Sequence, residues 1–437
     1  MSLSYYNIFV GTDNGLLKGI NSKAKTFNNL NSMENLNKEK EIVQMSWFDS
    51  STQDNVYFAT KDQHIVKYNT LKDINCPFTD LGHFDCGLGE LKGLEIISQN
   101  KLVTCVDKGL MKLWSVDLSD HENIVKNALN EFKCGNDLYA IKKNKFNSEL
   151  IATGGKENDL KIWNLSKSEP IFKAKNVSDN WMQLREPVWI MGIDFLDENR
   201  VVVGTGHHQV RLYDLKTGVR RPVFNLKYGD YPITALSVVP DDSNRVIVGN
   251  TRGEMEMIDL RSMTSKNEQC KAVRKYKGFQ GTIKSIQIES SPLYDINGSS
   301  LCVASCGLDR FLRVHHLETS SLVSKVYLKS RLNCLLFSKH EPIKVNKNEQ
   351  KADVDDDQLS SINSEDLGTD DLWSDMETII DEHPSLVTVK KRKLEKRLKD
   401  FDNESLKDEK ENNEEDNDGF KKPKSMQIIN KKIKKVK

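Results

Sequence analysis

Residues 186–215 read EPVWIMGIDFLDENRVVVGTGHHQVRLYDL. Three apolar runs lie within them. Val188 to Leu196 is rich in β-branched and aromatic residues and ends at the turn-forming Asp197-Glu198-Asn199. Val201-Val202-Val203 is closed by Gly204-Thr205-Gly206. Gln209 to Leu215 alternates, with Val210, Leu212 and Leu215 expected on one face and Arg211 and Asp214 on the other. Short apolar runs bounded by Gly, Asp and Asn are strand signals. Their separation allows only hairpins, because parallel pairing needs a long crossover. Three antiparallel strands cannot bury both faces alone, so the unit must stack on copies of itself.

Copies of its final hairpin begin at residues 9, 57, 102, 150, 246 and 302. Aligning the bulky residue near the end of each places Ile20, Tyr68, Trp114, Trp163, Tyr213, Ile258 and His315 in one column, in steps of 45 to 57 residues. Those steps lie slightly above the roughly 40–45 residues of a WD-type propeller blade. The WD dipeptide itself is absent, and the column reads as packing between blades. A preceding strand also recurs, at 41–48, 90–98, 137–143, 188–196, 233–239, 282–288 and 331–337. The hairpin at 9–20 has no such strand before it, and the strand at 331–337 has no hairpin after it. The two orphans complete each other if the chain closes on itself, which removes the exposed sheet edges. The expected fold is all-β: a seven-bladed propeller over residues 1–340, with 321–337 supplying inner strands of the last blade and the N-terminus its outer ones. Further inner strands are expected within the connectors, at Pro170 to Lys175 and Pro222 to Leu226.

Positive and negative residues balance at 64 each. No apolar run approaches a membrane span, and no signal peptide is expected. Cys105, Cys302, Cys306 and Cys334 sit in apolar runs without any C-x-x-C, as expected for reduced core thiols. The pairs His207-His208 and His315-His316 lack metal-site spacing, and on a strand one of each pair is expected to be buried and the other exposed. Gly154-Gly155-Lys156 and Gly204-Thr205-Gly206 lack the remainder of a phosphate loop and the helix that follows it. No catalytic residue, cofactor or metal ligand is assigned, and the protein is expected not to be an enzyme. Arg220 and Arg221, on a loop after a strand, are candidate contacts for phosphate or carboxylate.

Residues 341–437 hold 20 Lys/Arg and 25 Asp/Glu. The stretch 353–382 is acidic without a single Lys or Arg, a composition too poor in apolar surface to fold alone. Trp373 within it is a candidate partner anchor. Lys390, Lys391, Arg392 and Lys393, then Lys421, Lys422 and Lys424, then Lys431, Lys432, Lys434 and Lys435 form clusters of the nuclear-localisation type. The tail is expected to be mostly disordered.

Several long motifs are more specific than a generic propeller: VGTDNGLLKGI, PVW with GTGHHQVRLYDL, RRPVFNLKYGDYPITALSV, VIVGNTRGEMEMIDLRS, ASCGLDRFLRVHHLET and KVYLKSRLNCLLFS. They resemble the WD-repeat ribosome-assembly family of Nop-seven-associated protein one in fungi and WD-repeat-containing protein seventy-four in animals. The resemblance covers residues 8–337. It implies a nucleolar scaffold on precursors of the large ribosomal subunit, with assembly factors and precursor ribosomal RNA as neighbours, and release by an AAA-type ATPase. No membrane or small-molecule substrate is implied. A different WD-repeat role, substrate adaptor of a ubiquitin ligase, is the alternative from the sequence.

Overall fold

A computed structural model describes residues 6–31, 36–49, 51–70, 78–98, 100–116, 126–167, 169–179, 181–262, 271–294 and 300–339. Every sheet within them has four antiparallel strands, and there are seven sheets. We call the strands of each blade a to d from the axis outward. The a strands of blades 1 to 7 are Ile42–Trp47, Leu91–Ser98, Leu138–Lys143, Ile190–Phe195, Ile233–Val238, Ile283–Ser290 and Leu332–Phe337. Each contacts the a strand of the next blade, and the seventh contacts the first, so the ring is closed.

Blade 7 is where the ends of the propeller meet. Its a strand comes from Leu332–Phe337, and strands b, c and d come from Ile8–Thr12, Leu17–Asn21 and Thr26–Asn29. The closure register sets Ile8 opposite Phe337 and Val10 opposite Leu335. Residues 322–327 therefore do not belong to this blade: Leu322–Tyr327 is the outermost strand of blade 6, paired with Phe311–His316. The strands expected as inner within the connectors are outer as well. Pro170–Lys173 is the d strand of blade 3 and Phe224–Lys227 that of blade 4. The recurring apolar strand before each hairpin takes the axial place instead, because only that strand is flanked closely by two other blades. The unit at 186–215 is thus completed by Phe224–Lys227.

Burial follows the blade interfaces. Seven hydrophobic clusters form among the described residues, one between each pair of adjacent blades. Between blades 4 and 5, Val202, Val210 and Leu212 meet Ile233, Val246 and Ile258. On the other face of blade 4, Val201, Val203 and Tyr213 meet Ala152, Leu160 and Ile162, with Leu215 packed against them. Leu215 thus lies on the face opposite Val210 and Leu212, contrary to expectation. Arg211 is not turned to solvent either and is 1% exposed. A blade covered on both faces has no polar side, so alternation along strand c separates two cores.

The aligned column is buried in every blade. Five of its members rest on a ring from an outer strand or its end: Tyr68 on Phe78, Trp114 on Phe84, Trp163 on Phe132, Tyr213 on Phe172 and His315 on Tyr276, with centroids 5.0 to 6.4 Å apart. In four of these the ring is supplied by the preceding blade. Trp114 and Trp163 also donate from Nε1 to Thr104 and Thr153 hydroxyls on strand b, at 2.8 and 2.9 Å. The column joins neighbouring blades and orders its own hairpin.

Candidate interaction face

One face of the disc carries the b–c turns and the connectors that lead from each d strand to the next a strand. Its geometry begins with an irregularity repeated in all seven blades. Each a strand slips register by one residue at its second position: Val43, Lys92, Tyr139, Met191, Thr234, Lys284 and Asn333. A bulge bends its strand and frees the extra residue from the ladder. Some of these freed side chains reach the next blade. Thr234 Oγ1 donates to the Ile283 carbonyl at 2.5 Å, and Asn333 Nδ2 donates to the Ile42 carbonyl at 2.9 Å. Lys92 lies 5.9 Å over the Tyr139 ring, which meets Trp189 edge-on at 5.9 Å, and Trp189 meets His207 at 6.1 Å. Lys156 covers Trp189 at 5.7 Å. The sequence reading missed this ring of bulges; its signal is the spacing of the second residue in each a strand, visible only once register is known.

A second set of residues passed over in the sequence lies just below. Two positions before the bulky column, strand c carries Lys18, Lys112, Lys161, Arg211 and Arg313 in five blades. All are buried or half-buried. Burial pushes the Lys18 and Lys161 ammonium pKa values down. These cations hold the connectors. Lys112 Nζ donates to the Asp85 carbonyl at 2.9 Å and Lys161 Nζ to the Cys134 carbonyl at 2.6 Å. Arg211 donates to Asn176 Oδ1 (3.0 Å), Gln209 Oε1 (2.7 Å) and Asn225 Oδ1 (3.0 Å), and its Nη2 is 3.5 Å from Glu186. Arg313 pairs with Asp309 at 2.5 Å and stacks on Phe279 and Phe311. Through Asn176 and Glu186, Arg211 fixes the connector between blades 3 and 4, which presents Trp181 (89% exposed), Met182, Leu184 and Arg185.

Arg220 lies at the rim, where its Nε donates to the Lys173 carbonyl of blade 3 at 2.6 Å, while Arg221 beside it is exposed. Trp373 and the basic clusters at 390–393, 421–424 and 431–435 lie outside the described residues. His207 and His208 occupy a turn, with His208 at a φ of 51°. His315 and His316 are both buried, because strand c is covered on both faces; neither is exposed. His315 Nε2 lies 3.2 Å from the Lys277 carbonyl, and burial pushes its pKa down to about 4. Among the described residues no three His, Cys, Asp or Glu side chains are grouped for a metal. Gly154 and Gly155 end a strand, and a Cβ on Gly155 would meet the Asp137 carbonyl oxygen at 1.9 Å. The glycine permits a close approach of backbone to backbone and leaves no cradle for phosphate. The Cys105, Cys302, Cys306 and Cys334 thiols are free and buried, and burial raises their pKa values. They are inert packing groups.

No protein-family model matches the chain. Individual relatives do. WD repeat-containing protein 74 of Bos taurus is 35% identical over 375 residues, spanning 85% of this chain and 89% of that protein. The Homo sapiens protein of the same name matches to the same extent. The chain belongs to the WD repeat-containing protein 74 family. More distant relatives carry the name Ribosome biogenesis protein NSA1. That of Meyerozyma guilliermondii is 32% identical over 216 residues, 44% of this chain and 53% of the relative; that of Saccharomyces cerevisiae is 22% identical over 289 residues, 62% and 60%. A match over 85% of the chain has to span most of residues 1–340.

Proposed function

We propose that the chain is a non-enzymatic scaffold of ribosome biogenesis, assembling on nucleolar precursors of the large ribosomal subunit and supporting rRNA processing. The observation that carries this reading is the 35% identity over 85% of the chain to WD repeat-containing protein 74, joined by relatives named for ribosome biogenesis. A rigid disc with connectors locked by buried cations suits a platform, since little conformational entropy is lost when a preorganised surface binds. In this reading assembly factors occupy the turn face, precursor ribosomal RNA is a neighbour, and an AAA-type ATPase releases the protein from the particle. Arg221 and Trp373 are proposed as accessory partner contacts. The lysine clusters of the tail are proposed to direct nuclear and nucleolar accumulation.

Affinity purification of the tagged full-length chain tests this. Large-subunit precursor RNA and assembly factors are the expected co-purifying species. Recovery of neither, or recovery of ubiquitin-ligase subunits in their place, overturns it.

A further inference from the structure

The turn face is not electrostatically uniform. Across blades 5 to 7 its turns and connectors touch in an unbroken arc. Gly253 in the blade 5 turn abuts the Phe279–Gly281 connector. Leu308 N–H, in the blade 6 turn, donates to the Thr282 carbonyl at 3.1 Å, and Leu328 N–H donates to the Arg310 carbonyl at 2.9 Å. Asp13 N–H, in the blade 7 turn, donates to the Arg331 carbonyl at 3.2 Å. Along this arc Arg252, Lys277, Arg310, Lys329 and Arg331 are all exposed, with Lys284 exposed beside them at the channel mouth. None of the ion pairs among the described residues includes any of them. Of the acids along it, Asp309 is paired with buried Arg313 and Glu254 accepts from Asn250 Nδ2 at 2.6 Å; Asp13 in the blade 7 turn, Glu41 near Lys284 and Asp230 beside Tyr231 remain, and the six cations outnumber them. The charge is felt inside the fold, where Lys329 helps to lower the pKa of buried Lys18. Elsewhere on the same face the turns and connectors carry Asp85, Glu90, Asp107, Asp137, Glu157 and Asp179 among their lysines, so the arc is a local patch.

Rings alternate with these cations. Arg252 lies over Tyr231 at 5.0 Å, and Arg310 Nη1 is 3.5 Å from the hydroxyl of Tyr327, which is 45% exposed. Phe279 is half-buried in the connector between Lys277 and Gln280. Cations that track a backbone, interleaved with aromatic faces, are the elements of a surface for single-stranded nucleic acid. An acidic peptide would use the cations and leave the rings idle.

We propose that this arc binds single-stranded RNA directly, with phosphates on Lys277, Arg310, Lys329 and Arg331 and bases stacked on Tyr327 and Tyr231. The assignment rests on the ribosome-biogenesis reading above and names RNA itself as a partner of the propeller. It is tested with the full-length chain and a labelled single-stranded RNA of about 16 nucleotides, by fluorescence anisotropy over a range of salt. The variant carries Lys277→Glu, Arg310→Glu, Lys329→Glu and Arg331→Glu. Its control carries the same charge change elsewhere: Lys108→Glu, Lys133→Glu, Lys216→Glu and Lys227→Glu. A milder set with glutamine at the four arc positions keeps the test valid if the glutamates unfold the chain, with circular dichroism as the check. Relative to the control, the arc variant is expected to bind at least about tenfold more weakly, because four phosphate contacts at about 0.7 each make log K shallower against log salt by about 3. Equal loss in arc variant and control overturns the assignment. So does arc-dependent binding of poly-glutamate without binding of RNA. A wild-type chain that binds no RNA in vitro yet still brings down large-subunit precursors overturns the arc and leaves the scaffold reading standing.

Discussion

His315 occupies the position where two other blades place tryptophan, and its chemistry makes that packing sensitive to pH. Burial lowers its pKa from 6.5 to about 4. A neutral folded imidazole beside a basic unfolded one contributes stability that is present in full above pH 6.5. That stability is lost as pH falls from there towards 4, since the unfolded state takes up the proton first. The loss should approach roughly 3 kcal/mol at about 1.36 kcal/mol per unit. Urea denaturation midpoints at pH 7, 6 and 5 should fall progressively, and His315→Gln should flatten that slope; an unchanged slope in the variant would refute the assignment. Arg211 offers a second residue-scale test. Its guanidinium satisfies three amide oxygens in a site 1% exposed to solvent. Arg211→Ala leaves those partners without a donor and should cost about 3 kcal/mol or more. Arg211→Met restores most of the volume but donates no hydrogen bond, so it should cost less only by the packing it recovers, and equal losses in thermal unfolding would show that hydrogen bonding matters there and volume does not.

At the scale of elements, the strand Ile8–Thr12 holds the ring shut. It pairs with Leu17–Asn21 on one side and Leu332–Phe337 on the other, and its side chains enter two blade-interface clusters. Deleting residues 1–31 removes three strands of blade 7 and exposes both clusters, along with an open edge on the remaining strand. The truncated chain should be insoluble or elute as aggregate in size-exclusion chromatography, and a folded monomer would contradict the closure. This closure was legible in the sequence, because an orphan hairpin and an orphan strand have only each other to pair with. The placement of strands within the blade was not. Phe224–Lys227 and Pro170–Lys173 are short and mixed in polarity, and periodicity alone does not say whether such a strand lies at the axis or the rim. The contact between a strands decides it, and those contacts are non-local. Val210, Leu212 and Leu215 misled for a related reason: a strand buried on both faces has no polar phase to fix register. The buried Arg211 and Arg313 were hidden by the same rule, since a charged residue on a strand ordinarily marks the wet face.

For the whole molecule, the question is how the propeller and the charged tail divide the work. All seven blades are complete by Phe337, and among the described residues every blade-interface cluster is drawn from residues up to and including Phe337. Residues 341–437 have a composition, with acidic and basic blocks in alternation, that suits solvated chain better than a packed core. A chain ending at residue 340 should therefore keep the thermal midpoint of the full protein within about 2 °C, the shift that roughly 1.5 kcal/mol produces for a domain of this size. Removing only residues 390–437 should lower nuclear accumulation of a fluorescent fusion while leaving that midpoint unchanged, because Lys390 to Lys393 and the lysines after 420 are lost and the blades are not. The two measurements answer different questions. A lowered midpoint in the shorter chain would mean that the tail packs on the blades and that the division at 340 is wrong. An unchanged nuclear signal with an unchanged midpoint would mean import on a partner, and the basic clusters would then need a different role, of which RNA contact alongside the arc of blades 5 to 7 is the first to test by adding the tail deletion to the arc variant.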